Sequence, residues 1–230
     1  MHHSLVRGHA TVRHGAYLPH WTLDGATYAV CFRLADSLPR STAEAWRHEC
    51  EALRAEAGTV LTPAQEYRLR ELFSERVESC LDSCRGACWL RRSEIAEIVA
   101  ETLKYFDGER HQLLAWCIMP NHVHAVVRPL DRHTLVDILK SWKGFSGREA
   151  NQLLGLHGDF WQAEYYDHII RDAAELAHAI TYVIENPRKA GLQQWPWVWA
   201  KTGWQREGFR VEAAGPSSPR LGRAVPPGCG

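Results

Sequence analysis

The sequence predicts an α+β domain: a ferredoxin-like four-stranded antiparallel sheet with helices on one face and a helical insertion after the first strand. Three observations lead there. Strand-like and helix-like periods alternate in the order strand, helix, hairpin, helix, strand, helix. Two apolar runs, His111–Ile118 and His122–Arg128, are separated by a short break at Pro120-Asn121, which suits an antiparallel pair and is too short for a crossover. A length of 230 residues with 45% apolar content is enough for a proper core.

Taken in order, the residues up to about Gly25 are rich in His, Gly and Pro without a clear period, and Tyr17–Trp21 is expected to be an extended arm lying on the domain. Ala26–Leu34 has the β-branched and aromatic content of a strand, closed by turn residues from Asp36 to Pro39. From Thr42 to Ser79 the spacing becomes helical. Ala45, Trp46, Glu49 and Leu53 recur at three and four, and Thr62-Pro63 opens a second helix through Val77, giving a helical hairpin within an insertion over about residues 42–90.

Ser93 is expected to cap an amphipathic helix carrying Ile95, Ile98, Val99, Leu103 and Phe106, which ends at Asp107-Gly108. Beyond the strand hairpin, Thr134–Leu154 reads as a helix with Leu135, Ile138, Leu139 and Trp142 inward and Lys140, Lys143 and Arg148 outward. Phe160–Ile170 reads as the fourth strand. Asp172 can cap a last helix over Glu175–Glu185, stopped by Pro187 and Gly191. Trp195, Trp197, Trp199 and Trp204 follow, of which Trp197 and Trp199 suit a cluster closing the core or, alternatively, a platform for stacking bases. Residues 1–214 are expected to form a single domain, and the Pro-, Gly- and Arg-rich end at 215–230 to be disordered.

Formal net charge is zero, which argues against nucleic-acid binding by bulk charge alone. The distribution is less even: residues 36–80 hold nine acids and six bases, and Lys201–Arg223 five bases and two acids. Seven cysteines, an odd number in a chain of this size, point to reduced thiols. Cys80, Cys84 and Cys88 recur every four residues and read as small buried side chains rather than a metal cluster. The chain has no apolar run of membrane-spanning length and no secretory signal, so the cytoplasm of a bacterial-type cell is the default location and no membrane partner is expected.

The chemistry centres on Met119-Pro-Asn-His-Val-His-Ala-Val-Val127. His122 and His124 stand two apart on a strand and so share one face of the sheet. Val123 and Ala125 take the other face, toward a core, which leaves the imidazole face open to a metal or to solvent. The last helix offers a partner: Tyr182 and Asn186 are four apart and one turn from each other. With that helix beside the histidine strand, Asn186 could give an amide oxygen to the ion while Tyr182 points at what the ion binds. Two imidazoles and an oxygen suit Mg²⁺ or Mn²⁺ with water and phosphate rather than a closed zinc site. An ion beside a tyrosine implies attack on a phosphodiester by a phenol that is mostly protonated at neutral pH, a deficit of roughly 4 kcal/mol that the site must offset.

The histidine stretch, Phe160-Trp-Gln-Ala-Glu-Tyr-Tyr-Asp-His-Ile-Ile-Arg-Asp172 and Tyr182-Val-Ile-Glu-Asn-Pro-Arg-Lys-Ala-Gly-Leu192 together resemble the REP-associated tyrosine transposases, single-tyrosine members of the HUH endonuclease superfamily. Phe32–Pro39, Gly86–Arg91 and Ser141–Ser146 extend the resemblance over most of residues 17–200. It implies that His122, His124 and Asn186 hold the metal and that Tyr182 is the nucleophile. The implied reaction is cleavage of single-stranded DNA near palindromic hairpins, leaving a 5′-phosphotyrosine and a free 3′ hydroxyl. Tyr165 and Tyr166 are rival nucleophiles on a strand, of which one can face the metal.

DNA contacts are expected from Lys140, Lys143 and Arg148 on one helix, and from Arg188 and Lys189 beside the nucleophile. Alternative readings are a non-catalytic regulator that holds DNA hairpins, or a metallo-phosphodiesterase using water. A monomer and a homodimer both fit the sequence.

Overall fold

Tyr28, Val30 and Phe32 alternate with Ala29 and Cys31 along the first core strand, and this period of two decides how the sheet divides its contents. The structure, a computed structural model, describes residues 11–14, 19–57, 79–82 and 84–201. The strands are β1 (Thr11–His14), β2 (Pro19–Thr22), β3 (Thr27–Arg33), β4 (His111–Ile118), β5 (His122–Pro129), β6 (Tyr166–Ile170) and β7 (Val198–Ala200). The helices are α1 (Arg40–Ala57), α2 (Ser93–Lys104), α3 (Leu135–Leu154) and α4 (Ala173–Lys189), with short helical turns at Ser79–Asp82 and Trp89–Arg91. The expected second helix of the insertion, Trp204 and the tail at 215–230 lie outside the described residues.

The main sheet has the order β6-β3-β5-β4-β7 and is antiparallel throughout. It has five strands rather than the four expected. β7 is three residues long, too short to show a period, yet it pairs Trp199 with Trp116 and covers the open edge of β4. The arm expected at Tyr17–Trp21 contributes β2, which pairs with β1 in a separate two-stranded sheet.

The expectation of helices on one face is corrected. Tyr28, Val30, Phe32, Val123, Ala125 and Val127 pack against α2 and α3, with Ile95, Leu103, Leu139 and Trp142 at the centre of that core. The opposite face carries Ala115, Cys117, Val126 and Ile170, too apolar to leave wet, and α4 covers it with Ile180, Val183 and Ile184. A bulge between Leu113 and Ala115 shifts the phase of β4, which is how Leu113 and Trp116 come to share one core while Ala115 joins the other.

Local signals explain most boundaries. Thr134 caps α3 through a reciprocal pair with Asp137, and Gly155 closes that helix in the left-handed region at φ 65°. Asp172 caps α4 by accepting from the Glu175 amide. Ser93, in contrast, is the first residue of α2, and Arg92 occupies the cap position without a side-chain bond. Pro187 does not stop α4: it sits in the last turn, where its missing N–H costs one bond and the helix runs on to Lys189. The strand expected over Phe160–Ile170 is shorter, because Trp161 makes only an isolated bridge to Leu34 before β6 starts at Tyr166. Cys80, Cys84 and Cys88 do not share a helix, since Cys84 and Cys88 both adopt positive φ in the turns that follow Asp82.

Among the described residues, no helix is long and apolar enough to cross a membrane.

Candidate functional site

β5 is the central strand, so its two histidines are fixed by pairing on both sides. On that face His124 lies level with Cys31 of β3 and Cys117 of β4, and His122 lies level with Arg33. Contrary to the expectation of an open imidazole face, His122 and His124 are buried beneath α4. The apolar residues around them, Cys117, Met119 and Val126, bring the helix down onto the strand, and the imidazoles are enclosed with it.

The geometry between the two rings is specific. Nε2 of His122 and Nε2 of His124 are 3.0 Å apart, with the rings nearly perpendicular at 87°. Two nitrogens bound cis to one octahedral cation at ~2.1 Å would stand roughly 3 Å apart, so the pair already has the spacing of such an edge. Burial holds both rings in the neutral form. It drives His122 well below its ordinary range, with the neighbouring His124 adding to the effect, and brings His124 to about 4. Neutral imidazoles offer the lone pairs that metal ligation requires.

The far side of the site comes from α4. The Tyr182 ring meets His124 edge to face, 5.5 Å between centroids at 84°. One turn on, Asn186 is buried, and its Oδ1 has no hydrogen-bond partner among the described residues. An acceptor buried in this state costs about 1–3 kcal/mol unless something binds it, and a cation beside the histidines is a chemically matched partner. No third His, Cys, Asp or Glu completes a cluster with the histidines among the described residues, so the donors available to a cation would be the two nitrogens and the Asn186 amide oxygen. Such a set fits a cation that retains water and takes phosphate oxygen.

The rival tyrosines are placed elsewhere. Tyr166 shares the histidine face but stands on β6, two strands from β5, which is roughly 10 Å at ordinary strand spacing. Tyr165 stacks on His20 at 4.2 Å between centroids, within the other core.

The basic residues divide into two groups. Arg188 and Lys189 are exposed at the end of α4, and the Lys189 ammonium lies 5.0 Å from the Tyr182 ring centroid and 4.0 Å from Glu185. Lys140, Lys143 and Arg148 belong to α3, across the sheet from Tyr182, where they line an open cleft of about 920 Å³ with Asn151, Trp161 and Tyr165. Lys140 and Arg148 are exposed, and Arg148 pairs with Glu149 at 3.1 Å. Lys143 is not the solvent-facing residue expected: burial lowers it to about 8, and its ammonium donates to the Ala163 carbonyl at 2.6 Å.

Asn121 was read from sequence only as a turn residue. It is fully buried, and its side chain links His122 to the backbone at Leu81 and Arg85. The only sequence signal was its place immediately before the first histidine.

A family model described as "Transposase IS200 like" matches residues 89–186, a span that contains His122, His124, Tyr182 and Asn186. A REP-associated tyrosine transposase of Escherichia coli (strain K12) is 24% identical over 103 residues, 45% of this chain and 57% of its own length. The chain thus spans a little over half of that relative. A solved REP-associated tyrosine transposase bound to a REP hairpin aligns at 15% identity and TM-score 0.45, covering 78% of this chain and 79% of its own. A protein described as a transposase from Deinococcus radiodurans aligns at 16% identity and TM-score 0.34, covering 76% and 95%.

Proposed function

We propose that this chain, whose residues 89–186 match the IS200-like transposase family model, cleaves and rejoins single-stranded DNA beside hairpins through a tyrosine–DNA intermediate. The observation that carries the reading is the meeting of two elements far apart in sequence: Tyr182 of α4 stands against His124 of β5, whose Nε2 converges with that of His122.

In this mechanism His122, His124 and Asn186 would hold Mg²⁺ or Mn²⁺, which would supply neutralisation of the charge that develops on the phosphate. The Tyr182 phenol oxygen attacks phosphorus and gives up its proton to water, which returns one to the departing 3′ oxygen. A P–O bond forms to the tyrosine, and the bond to the 3′ oxygen breaks, releasing a 3′ hydroxyl and leaving a 5′-phosphotyrosine. Rejoining runs the same exchange backwards, with a 3′ hydroxyl as nucleophile. The Lys189 ammonium beside the ring favours the negative charge that develops on the phenol oxygen. Burial of the imidazoles keeps them unprotonated for this work.

Hairpin DNA is the proposed partner. Arg188 and Lys189 would take the cleaved strand, and Lys140 and Arg148 the phosphates of the stem, with Lys143 shaping the cleft between them. Because the two groups face opposite sides of the sheet, one DNA reaching both must pass around a sheet edge.

The test is incubation of the full chain with hairpin-flanked single strands and Mn²⁺, followed by denaturing electrophoresis. A protein–DNA adduct that disappears in Tyr182→Phe supports the reading. Cleavage with turnover and no adduct would identify a hydrolase using water, and metal-independent binding without cleavage a hairpin-binding regulator. An adduct undiminished in Tyr182→Phe would overturn the choice of nucleophile.

A further inference from the structure

The amide of Asn121 is oriented by its surroundings. One end lies 3.1 Å from the Leu81 carbonyl and 3.2 Å from the Arg85 carbonyl. Two acceptors at that end require the NH₂ group there, because an oxygen would face two other oxygens. The remaining end is therefore the Oδ1, and it lies 2.8 Å from Nδ1 of His122. An amide oxygen can only accept, so Nδ1 of His122 must carry the hydrogen, and in the neutral ring Nε2 is then left with its lone pair. That nitrogen is the one converging on His124.

We propose that Asn121 is the positioning residue of the site: held by the Leu81 and Arg85 carbonyls, it locks His122 in the Nδ1–H tautomer and presents its Nε2 lone pair to the cation. The proposal rests on the metal-binding part of the reading above and adds a device that the family resemblance does not assign. It also gives the last residues of the insertion a role. Without a partner beyond Nδ1, the proton of His122 is free to sit on Nε2, where it would compete with the ion, and the ring loses the bond that sets its angle. Partners of this kind typically alter metal affinity by about 10–100-fold.

The lock is built into the backbone. The Asn121 carbonyl accepts from the Leu34 amide at 2.9 Å, and the Pro120 carbonyl accepts from the Leu90 amide at 3.2 Å, so the turn before His122 is tied both to the end of β3 and to the end of the insertion. Gly86 permits the close approach. It has φ 86°, and a Cβ there would stand 2.6 Å from the Asp36 carbonyl oxygen.

The tautomer can be read without activity. Long-range ¹H–¹⁵N correlation spectra of the metal-free full chain at neutral pH are expected to give His122 a protonated Nδ1 and an unprotonated Nε2. In Asn121→Ala the Nε2–H form should appear and Mn²⁺ affinity, followed by electron paramagnetic resonance, should fall about 10–100-fold. Asn121→Asp, whose carboxylate can still accept from Nδ1–H, should keep the tautomer and recover most of the affinity while losing amide-exchange protection near Leu81–Arg85. A wild-type His122 protonated on Nε2 overturns the proposal outright, even if Asn121→Ala does not fold. So does an Asn121→Ala chain with unchanged tautomer and unchanged Mn²⁺ affinity. Failure of the wild type to cleave DNA, with tautomer and Mn²⁺ affinity as stated, would count against the transposase reading alone.

Discussion

The ring of Tyr182 stands edge-on to that of His124, 5.5 Å between centroids, although 58 positions separate them in the chain. β6 carries the chain to one edge of the sheet, and α4 then crosses the face that bears the histidines on its way to β7 at the other edge. Packing of Ile180, Val183 and Ile184 on that face therefore sets the distance between nucleophile and ligands.

The amide oxygen of Asn186 has no hydrogen-bond partner among the described residues, so stability should depend on any cation bound there. Asn186→Leu, close in size, should raise the stability of the metal-free protein by about 1 kcal/mol, because it removes an unsatisfied buried acceptor. The same substitution should abolish the thermal shift produced by Mn²⁺, as measured by calorimetry with and without chelator. A metal-free melting point lowered by the substitution would mean that the oxygen has a protein partner.

For the wild type, Mn²⁺ at 100 times its dissociation constant should add about 2.7 kcal/mol of stability through mass action. His122→Ala should eliminate that gain, and adding chelator to the wild type should reverse it. Equal stabilisation of His122→Ala would place the ion elsewhere.

His20 gives stability a pH dependence. Burial alone would depress it, but hydrogen bonds and charge from Asp167 and Glu164 outweigh burial and raise it to about 9. A base raised on folding contributes fully below its unfolded value of 6.5, and that contribution is lost as pH rises through about 9. The upper limit is about 3 kcal/mol, or on the order of 5–10 °C for a chain of this size. The melting temperature should therefore fall between pH 6.5 and about 9.5, and His20→Gln should flatten the profile in that window. A profile of the same slope in His20→Gln would assign the effect to another group.

The basic residues on opposite sides of the sheet should separate in their effects. Lys140→Ala should weaken hairpin binding and reduce the slope of log affinity against log salt by about 1, with Mn²⁺ affinity unchanged. Lys189→Ala should slow adduct formation more than it weakens binding, because its ammonium lies beside the Tyr182 ring. Filter-binding titrations over a salt series and single-turnover adduct assays distinguish the two. Identical profiles for the two variants would contradict the division.

The shared face of His122 and His124 was legible because a strand's period of two is rigid, and the spacing of Tyr182 and Asn186 because a helix turn is equally so. Which face α4 would cover was not legible. That depends on β6 pairing with β3 rather than β4, a long-range choice that no local period records. β7 was missed for the opposite reason, since three residues are too few to carry a pattern. Lys143 was misread because a helical wheel cannot register the loop that returns Ala163 over its ammonium. Asn121 was hidden by its own plausibility: asparagine after proline suits a turn, and nothing local distinguishes a turn residue from one whose side chain is entirely enclosed.

The histidines ride on the middle strand of five, paired on both edges and roofed on both faces, whereas only five of the 17 residues of α4 are buried. Amide exchange at His122 and His124 should therefore wait for global unfolding, while α4 can lift away in a smaller and more frequent opening. The two halves of the site should thus open on different timescales, the histidines with the whole fold and Tyr182 with its helix.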